Sequence, residues 1–293
     1  NFANKSIEEL YNKLIYSFEN LIVKRVGGIN KATEQAKIDS LNAANIFISL
    51  SDNIQETFGL TVIEAMAAEL PCIVSDWNGY KDLVKETETG YLIPTRYAGG
   101  YDNEINQVDI EYKIEKINFD YMIGLKSMKT IIDENALINK LEILINNKDL
   151  RESMGRNSKE RWRNLYTWSI VSEQYRDLWI NLKEIRESCT KSIESVSFHP
   201  PIDYVFKHYP TEISNQEKLL VYSDSTKAEI LLNPLHSQLI EIITSNKTNK
   251  IIELINKNKS ITLTHLNEIG IEKKKQKEVM AVIEKLGIAK NQI

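Results

Sequence analysis

Two cysteines in 293 residues, Cys72 and Cys189, leave no material for a disulfide framework or a zinc cluster. No apolar run approaches the roughly 20 residues that a membrane-spanning helix needs. The N-terminus also lacks a charged segment followed by an apolar core. Neither sign of charge dominates: 37 Lys and Arg stand against 41 Asp and Glu, a net −4. That balance gives no overall pull towards nucleic acid or acidic lipid. No G-x-x-x-x-G-K-[ST] loop occurs, which excludes a P-loop nucleotidase, and no G-x-S-x-G elbow occurs. His199, His208, His236 and His265 show no metal-ligand spacing with Cys or acidic residues. These absences lead us to expect a protein of a reducing, cytoplasmic setting, with no metal and no bound cofactor. The length allows two domains and a sizeable core.

What is present centres on residues 51–64, SDNIQETFGLTVIE. Before it, residues 44–50 (ANIFISL) read as a buried strand. After it, residues 60–69 (LTVIEAMAAE) are good helix formers, with Ile63, Met66, Ala67 and Leu70 on one face. The order is strand, polar loop, helix N-terminus. Free amides at Gly59, Leu60 and Thr61 would then point into the space above the strand, where the helix dipole favours an anion. Gly59 has no side chain to keep that anion away. Glu56 and Glu64 bracket the turn. Because a carboxylate repels phosphate oxygens, their natural partners are hydroxyl groups, which a sugar or ribose carries in adjacent pairs. An anion cradle between two diol acceptors describes a sugar–diphosphate–nucleoside.

The remainder is read in chain order. Leu10, Leu14, Ile15, Phe18 and Leu21 recur at helical spacing over 6–22, and 22–26 fits a short strand ended by Gly27 and Gly28. That glycine pair reads as a simple turn, since G-x-G-x-x-G spacing is missing. Residues 30–43 read as a helix with Ala32, Ala36 and Leu41 inward. PCIVS, 71–75, is a buried strand, so strand–helix–strand implies a parallel βαβ unit. Asp76-Trp77-Asn78-Gly79 turns at its carboxyl end, where open α/β sheets place ligands. Asn78 and Gly79 therefore admit two readings, ligand contact or an Asn-Gly turn needing positive φ. A helix begins at Tyr80, and GYLIP, 90–94, is a further strand. Cys72, inside an apolar strand, reads as a buried inert thiol.

Residues 95–120 are polar with Gly99 and Gly100, and read as a loop or irregular insertion. Helices are expected over 133–147, 149–157, 158–166 and 168–185, the last capped by Thr167. Trp168, Val171, Tyr175, Leu178, Leu182 and Ile185 form a stripe that reads as a packing face. Phe198-His199-Pro200-Pro201 marks a linker, giving domains 1–195 and 196–293. Residues 218–233 suit a two-stranded piece around Ser225 and Thr226. Residues 234–293, with turns near 256–260 and at Gly287, suit a small three-helix or winged-helix-like module. Ten Lys and five Glu between 246 and 290 give that module a local +5. With Arg and aromatics missing there, it reads as a solvated or protein-docking face, and no nucleic-acid partner is expected.

The string from Glu56 to Pro71, ETFGLTVIEAMAAELP, followed by IVSDWNGY, resembles the donor-binding signature of family-4 retaining glycosyltransferases of the GT-B architecture. The resemblance runs from about Asn42 to Pro94 and more loosely to Glu187. It implies an α/β fold: a Rossmann-like parallel-sheet domain, the C-terminal half of GT-B, joined to the small helical module. It further implies a metal-independent, hexosyltransferase-type enzyme that moves a sugar from a UDP- or GDP-linked donor to a glycan, lipid or protein acceptor. In that family the second Glu, here Glu64, binds the ribose hydroxyls, and the first, here Glu56, approaches the sugar near its reacting carbon. The backbone after Phe58, through Gly59, Leu60 and Thr61, holds the diphosphate, and the turn with Asn78 and Gly79 lies against the donor. No D-x-D pair occurs, so the metal–diphosphate site of the other major glycosyltransferase architecture is unsupported. A glycosidase with paired carboxylates fits less well, because Glu64 sits on a helix beside a phosphate cradle. Two departures stand out. The family's N-terminal acceptor domain is not found in this sequence, so we expect either that the sequence is a piece of a longer protein or that a partner domain or chain supplies that half. Lys24 and Arg25 lie near the family's diphosphate-gripping basic pair but in no recognisable motif. The reading from another class is a non-catalytic, glycosyltransferase-like interaction module that recruits a partner through its basic C-terminal domain.

Overall fold

The computed structural model describes residues 5–16, 20–27, 32–98, 107–188, 202–213, 220–222, 240–241 and 243–291. Its first sheet is the one the sequence announces. Strands β1 (Phe47–Ser49), β2 (Cys72–Ser75) and β3 (Gly90–Ile93) run parallel in the order β1-β2-β3. Helix α3 (Leu60–Ala67) links the first two and the short α4 (Tyr80–Leu83) lies between the next two. An unbroken apolar run is what a strand covered on both faces requires. Cys72 and Val74 point into one cluster with Val62, Ala65, Met66, Leu70, Tyr80 and Leu83. Ile73 points the other way, to Tyr91, Ile93, Leu144 and Met154. The Cys72 thiol is fully buried, and burial pushes its pKa up to about 12. The inert-thiol expectation holds.

Helices cover the sheet on both faces, through Leu41 and Trp162 on one and Leu141, Leu144 and Met154 on the other. α1 is Lys5–Tyr16, and α2 (Glu34–Ala43) starts where the Thr33 hydroxyl accepts from Ala36 N at 3.1 Å. α7 (Glu134–Asn146), α8 (Lys148–Leu165) and α9 (Trp168–Ser188) follow later in the chain. Several readings need correction. Residues 22–26 are exposed and form no strand. β1 is only partly covered, with Ile48 exposed at the sheet edge. The two helices expected over 149–157 and 158–166 are one: Ser158 keeps the helix intact by donating its hydroxyl to Thr89 O at 2.9 Å. Finally, α9 fully buries none of its residues: Val171 is half-buried, but Trp168, Tyr175, Leu178, Leu182 and Ile185 are exposed, so most of its apolar stripe is left uncovered among the described residues. Thr167 does not cap it in the expected way, because its hydroxyl turns back to Arg163 O.

Described residues between 95 and 132 form strands and helices, where a loop or irregular insertion is expected over 95–120. β4 (Thr95–Tyr97), α5 (Gln107–Lys113), α6 (Phe119–Ser127) and β5 (Thr130–Ile132) occupy this stretch. β4 pairs antiparallel with β5 and parallel with β6 (Glu212–Ile213), which follows α10 (Ile202–Val205). A third sheet, β8-β7-β9, is antiparallel and joins Leu220–Tyr222 (β7), Ser260–Ile261 (β8) and Ala289–Asn291 (β9). With it stand α11 (Thr248–Asn258), α12 (Leu263–Glu268) and α13 (Lys273–Lys285). The turns near 259 and at 287 take left-handed conformations at Lys259 and Gly287. The linker at 198–201, the 195/196 boundary, the strand piece beyond Tyr222, Cys189, His199 and His236 lie outside the described residues.

Contacts run between the two ends of the chain. Leu125 and Met128 share a core with Ile255, Val279 and Ile283, and Ile131 with Ala281. Lys126, 1% exposed, lies between Asp109 (2.8 Å) and Asp203 (2.5 Å), and Tyr97 donates its phenol to Asp203 at 3.0 Å. Arg96 pairs with Glu284 at 2.6 Å and Lys129 with Glu278 at 2.5 Å. The result is a mixed α/β structure in which the Rossmann-like parallel sheet sits beside the 95–132 region and the C-terminal helices.

Candidate functional site

The site forms at the carboxyl ends of β1 and β2, where two turns face each other. The first, 51–59, folds on itself through Asn53, whose Oδ1 accepts from Gln55 N at 3.0 Å and Glu56 N at 3.3 Å. The second turn, 76–79, then stitches the first in place. Ser75 donates its hydroxyl to Ser51 O at 2.6 Å, and the Trp77 indole donates to Asn53 O at 2.9 Å. Asn78 Nδ2 donates to the carbonyls of Glu56 (3.3 Å) and Thr57 (3.1 Å). From the other side, Asn78 N donates to Tyr209 O at 3.0 Å, and Tyr209 sets its ring edge-on to Trp77.

The two glycines have different reasons. Gly59 is left-handed, φ +96°, and a Cβ there would lie 2.2 Å from Tyr80 Cε1. The missing side chain thus makes room for the Tyr80 ring as well as opening the helix N-terminus. In the second turn the positive φ falls on Asn78 (+39°), while Gly79 has φ −61°. Gly79 is required by proximity: a Cβ would meet Thr57 O at 2.4 Å. The turn reading is what the backbone shows, with the positive φ on Asn78 and its amide nitrogen holding the 56–57 backbone.

Glu56 is half-buried at the mouth. Its Oε1 faces Phe58 N and its Oε2 accepts from Tyr80 OH, both at 3.4 Å. The same phenol meets Ser49 Oγ at 2.9 Å. Burial raises the Tyr80 pKa and the neighbouring Glu56 charge adds to it, so the phenol stays protonated and available to donate to that carboxylate. Phe58, Leu60 and Thr61 are exposed around the turn. The amides of Gly59, Leu60 and Thr61 find no acceptor among the described residues; the first helical bonds to Gly59 O come from Val62 and Ile63. Glu64, one turn into α3, pairs with Lys37 at 2.6 Å, and its hydrogen bond raises the Lys37 pKa.

Glu56, Phe58, Gly59, Leu60 and Thr61 thus gather at one turn, where Tyr80 bonds Glu56 and packs against Gly59, with Asn78 and Gly79 behind it; Glu64, one turn into α3, is held by Lys37. Arg25 does not join them: it pairs with Glu8 at 2.7 Å and with Asn12, on α1, while Lys24 is exposed. The basic residue that reaches Glu64 is Lys37. Sequence reading missed it, because nothing in spacing ties a lysine on α2 to a glutamate 27 positions later. Tyr80 carried a fainter signal, standing directly after the Asn-Gly turn. No group of three or more metal-binding side chains occurs among the described residues.

A Rossmann-like parallel sheet with an uncovered helix N-terminus between two carboxylates is the class that fold and site define. Comparison with known proteins adds a family likeness. Residues 8–113, a little over a third of the chain, match the model of the family described as Glycosyl transferases group 1. A 61-residue stretch is 33% identical to EpsD of Bacillus subtilis (strain 168), covering 21% of this chain and 16% of that protein. The capsular polysaccharide biosynthesis glycosyltransferase CapM of Staphylococcus aureus is 27% identical over 142 residues, 48% of this chain and 27% of CapM. The phosphatidyl-myo-inositol mannosyltransferase of Mycobacterium leprae (strain TN) is 25% identical over 154 residues, 52% of this chain and 31% of that enzyme. The matches span less than a third of the length of each of these relatives. The likeness is to glycosyltransferases at the family level. No helix among the described residues is long and apolar enough to cross a membrane.

Proposed function

We propose that this chain supplies the donor-binding half of a retaining, metal-independent glycosyltransferase acting on a nucleotide-diphosphate sugar. The observation that carries the reading is the N-terminus of α3, whose Gly59–Leu60–Thr61 amides stand unpaired between the carboxylates of Glu56 and Glu64. Peptide amides and the helix dipole stabilise negative charge that grows on the diphosphate as the sugar leaves, without a metal ion. Glu64 holds the ribose hydroxyls, with Lys37 offsetting its charge beside the diphosphate. Glu56, steadied by Tyr80, orients the sugar hydroxyls near the reacting carbon. Asn78 and Gly79 contribute by fixing the 56–57 backbone that carries it.

In the reaction the bond from the anomeric carbon to the diphosphate oxygen breaks, and a bond to an acceptor hydroxyl oxygen forms on the same face. The acceptor proton leaves with the nucleoside diphosphate. Among the site residues, no side chain is placed as an obvious covalent nucleophile, which agrees with same-face substitution. The acceptor would be bound by a domain or chain that completes this half, as would be expected of a cytoplasmic enzyme of this class.

Titration calorimetry with UDP- and GDP-sugars tests the reading. We expect binding to one nucleotide series, and loss of about tenfold or more in affinity for Glu64→Ala, the scale of one charged hydrogen-bonding partner. Absence of heat from every donor, with a folded circular dichroism spectrum, overturns it.

A further inference from the structure

The proposed donor site is built from residues before Pro94, yet a side chain near the other end of the chain reaches its loop. Lys285, in the last turn of α13, sets its ammonium 2.5 Å from Asp52 Oδ2 and 2.5 Å from Ser127 O. Ser127 in turn donates its hydroxyl to Asp52 Oδ1 at 2.9 Å. Both carboxylate oxygens of Asp52 are thereby taken, one by the C-terminal helix and one by the end of α6. Asp52 is the second residue of the 51–59 turn. It stands between Ser51, tied to Ser75, and Asn53, which organises the amides leading to Glu56.

Two features make this contact more than a surface pair. The partners are mostly covered, 22% exposed for Lys285 and 26% for Asp52, so solvent screens them less than an ordinary surface pair. Lys285 is also presented from a fixed base. α13 buries Val279, Met280, Ala281, Val282 and Ile283 and is clamped separately by Arg96–Glu284 and Lys129–Glu278. The β2 side of the turn is held by Ser75, Trp77 and Asn78. The opposite side is held at Asp52, by Ser127 and Lys285.

We propose that Lys285 is a positioning residue for the donor loop: through Asp52 it fixes the base of the 51–59 turn, and with it the placement of Glu56 and the helix-terminal amides. The C-terminal helices are then part of the site's support. The effect on ligand rests on the donor-site reading above; the effect on the loop does not.

Hydrogen–deuterium exchange on the full chain, without ligand, separates this role from simple docking of α13. Lys285→Met is expected to speed exchange across 51–59 by about tenfold, the change that losing one anchoring contact gives to local opening. Lys285→Arg, which keeps charge and reach, should retain most of the protection. Glu284→Gln, which weakens the neighbouring clamp to Arg96, should leave 51–59 close to wild type. Equal loop exchange in Lys285→Met and wild type, or the same rise in Glu284→Gln, overturns the proposal. Calorimetry with UDP-glucose and GDP-mannose as probes then reads the consequence, an expected three- to tenfold weaker binding in Lys285→Met. Should neither probe bind the wild type, the donor reading fails while the exchange result still decides the role of Lys285.

Discussion

At Gly79 a single hydrogen atom decides whether the two turns of the site can meet. A methyl group there would stand 2.4 Å from Thr57 O and 2.8 Å from Phe58 Cα, both backbone atoms that yield only if the loop moves. Gly79→Ala should therefore cost about 1–3 kcal/mol, the usual range for overpacking, and displace the backbone that carries Glu56. Urea denaturation reads the first effect as a lower midpoint, and calorimetry with nucleotide sugars reads the second. An unchanged midpoint would show that the turns approach less closely than described. Gly59 is a different case, since its φ of +96° is strained for any L side chain whatever the space.

Among the elements, α8 and α3 pose a contest of magnitudes. Gly155 lies inside α8, where alanine is the better helix former by about 1 kcal/mol. A Cβ at that position would nevertheless meet Glu69 O, just past α3, at 2.3 Å. The clash outweighs the propensity, so Gly155→Ala is expected to lower stability by about 1–2 kcal/mol net, measured by urea denaturation. A gain in stability would mean the helices have room to part. The sequence made the parallel strands and α3 readable, because a strand buried on both faces must be apolar throughout, and Cys72, Ile73 and Val74 are. It hid β4, whose Thr95-Arg96-Tyr97 carries no apolar run and is completed by partners at 130–132 and 212–213. Periodicity found the apolar stripe of α9, but period alone does not say what covers a face. The carboxylates and the glycine turn of the site were legible as a local string; Lys37, Tyr209 and Lys285 reach it through tertiary contacts that spacing does not encode.

Taken as a whole molecule, the chain is held across its length by charge placed in unusual depth. Lys126 with Asp109 and Asp203 joins α6, α5 and α10 at a point sealed from solvent. Lys126→Met would strand two carboxylates in that interior. The expected cost is about 3–5 kcal/mol, a large part of an ordinary domain's stability. Guanidinium denaturation checks it, and adding Asp203→Asn should recover part of the loss by removing one of the two buried negative charges. A neutral Lys126→Met would show that the cluster is hydrated. The four tryptophans divide along the same architecture. Trp168 and Trp179 face solvent at 83% and 64% exposure, while Trp77, at 2%, is sealed beneath the site loop with its indole on Asn53. Iodide should thus quench one part of the intrinsic fluorescence and spare another, and the spared emission becomes a built-in optical gauge of whether the loop above Trp77 stays closed over it or lifts away.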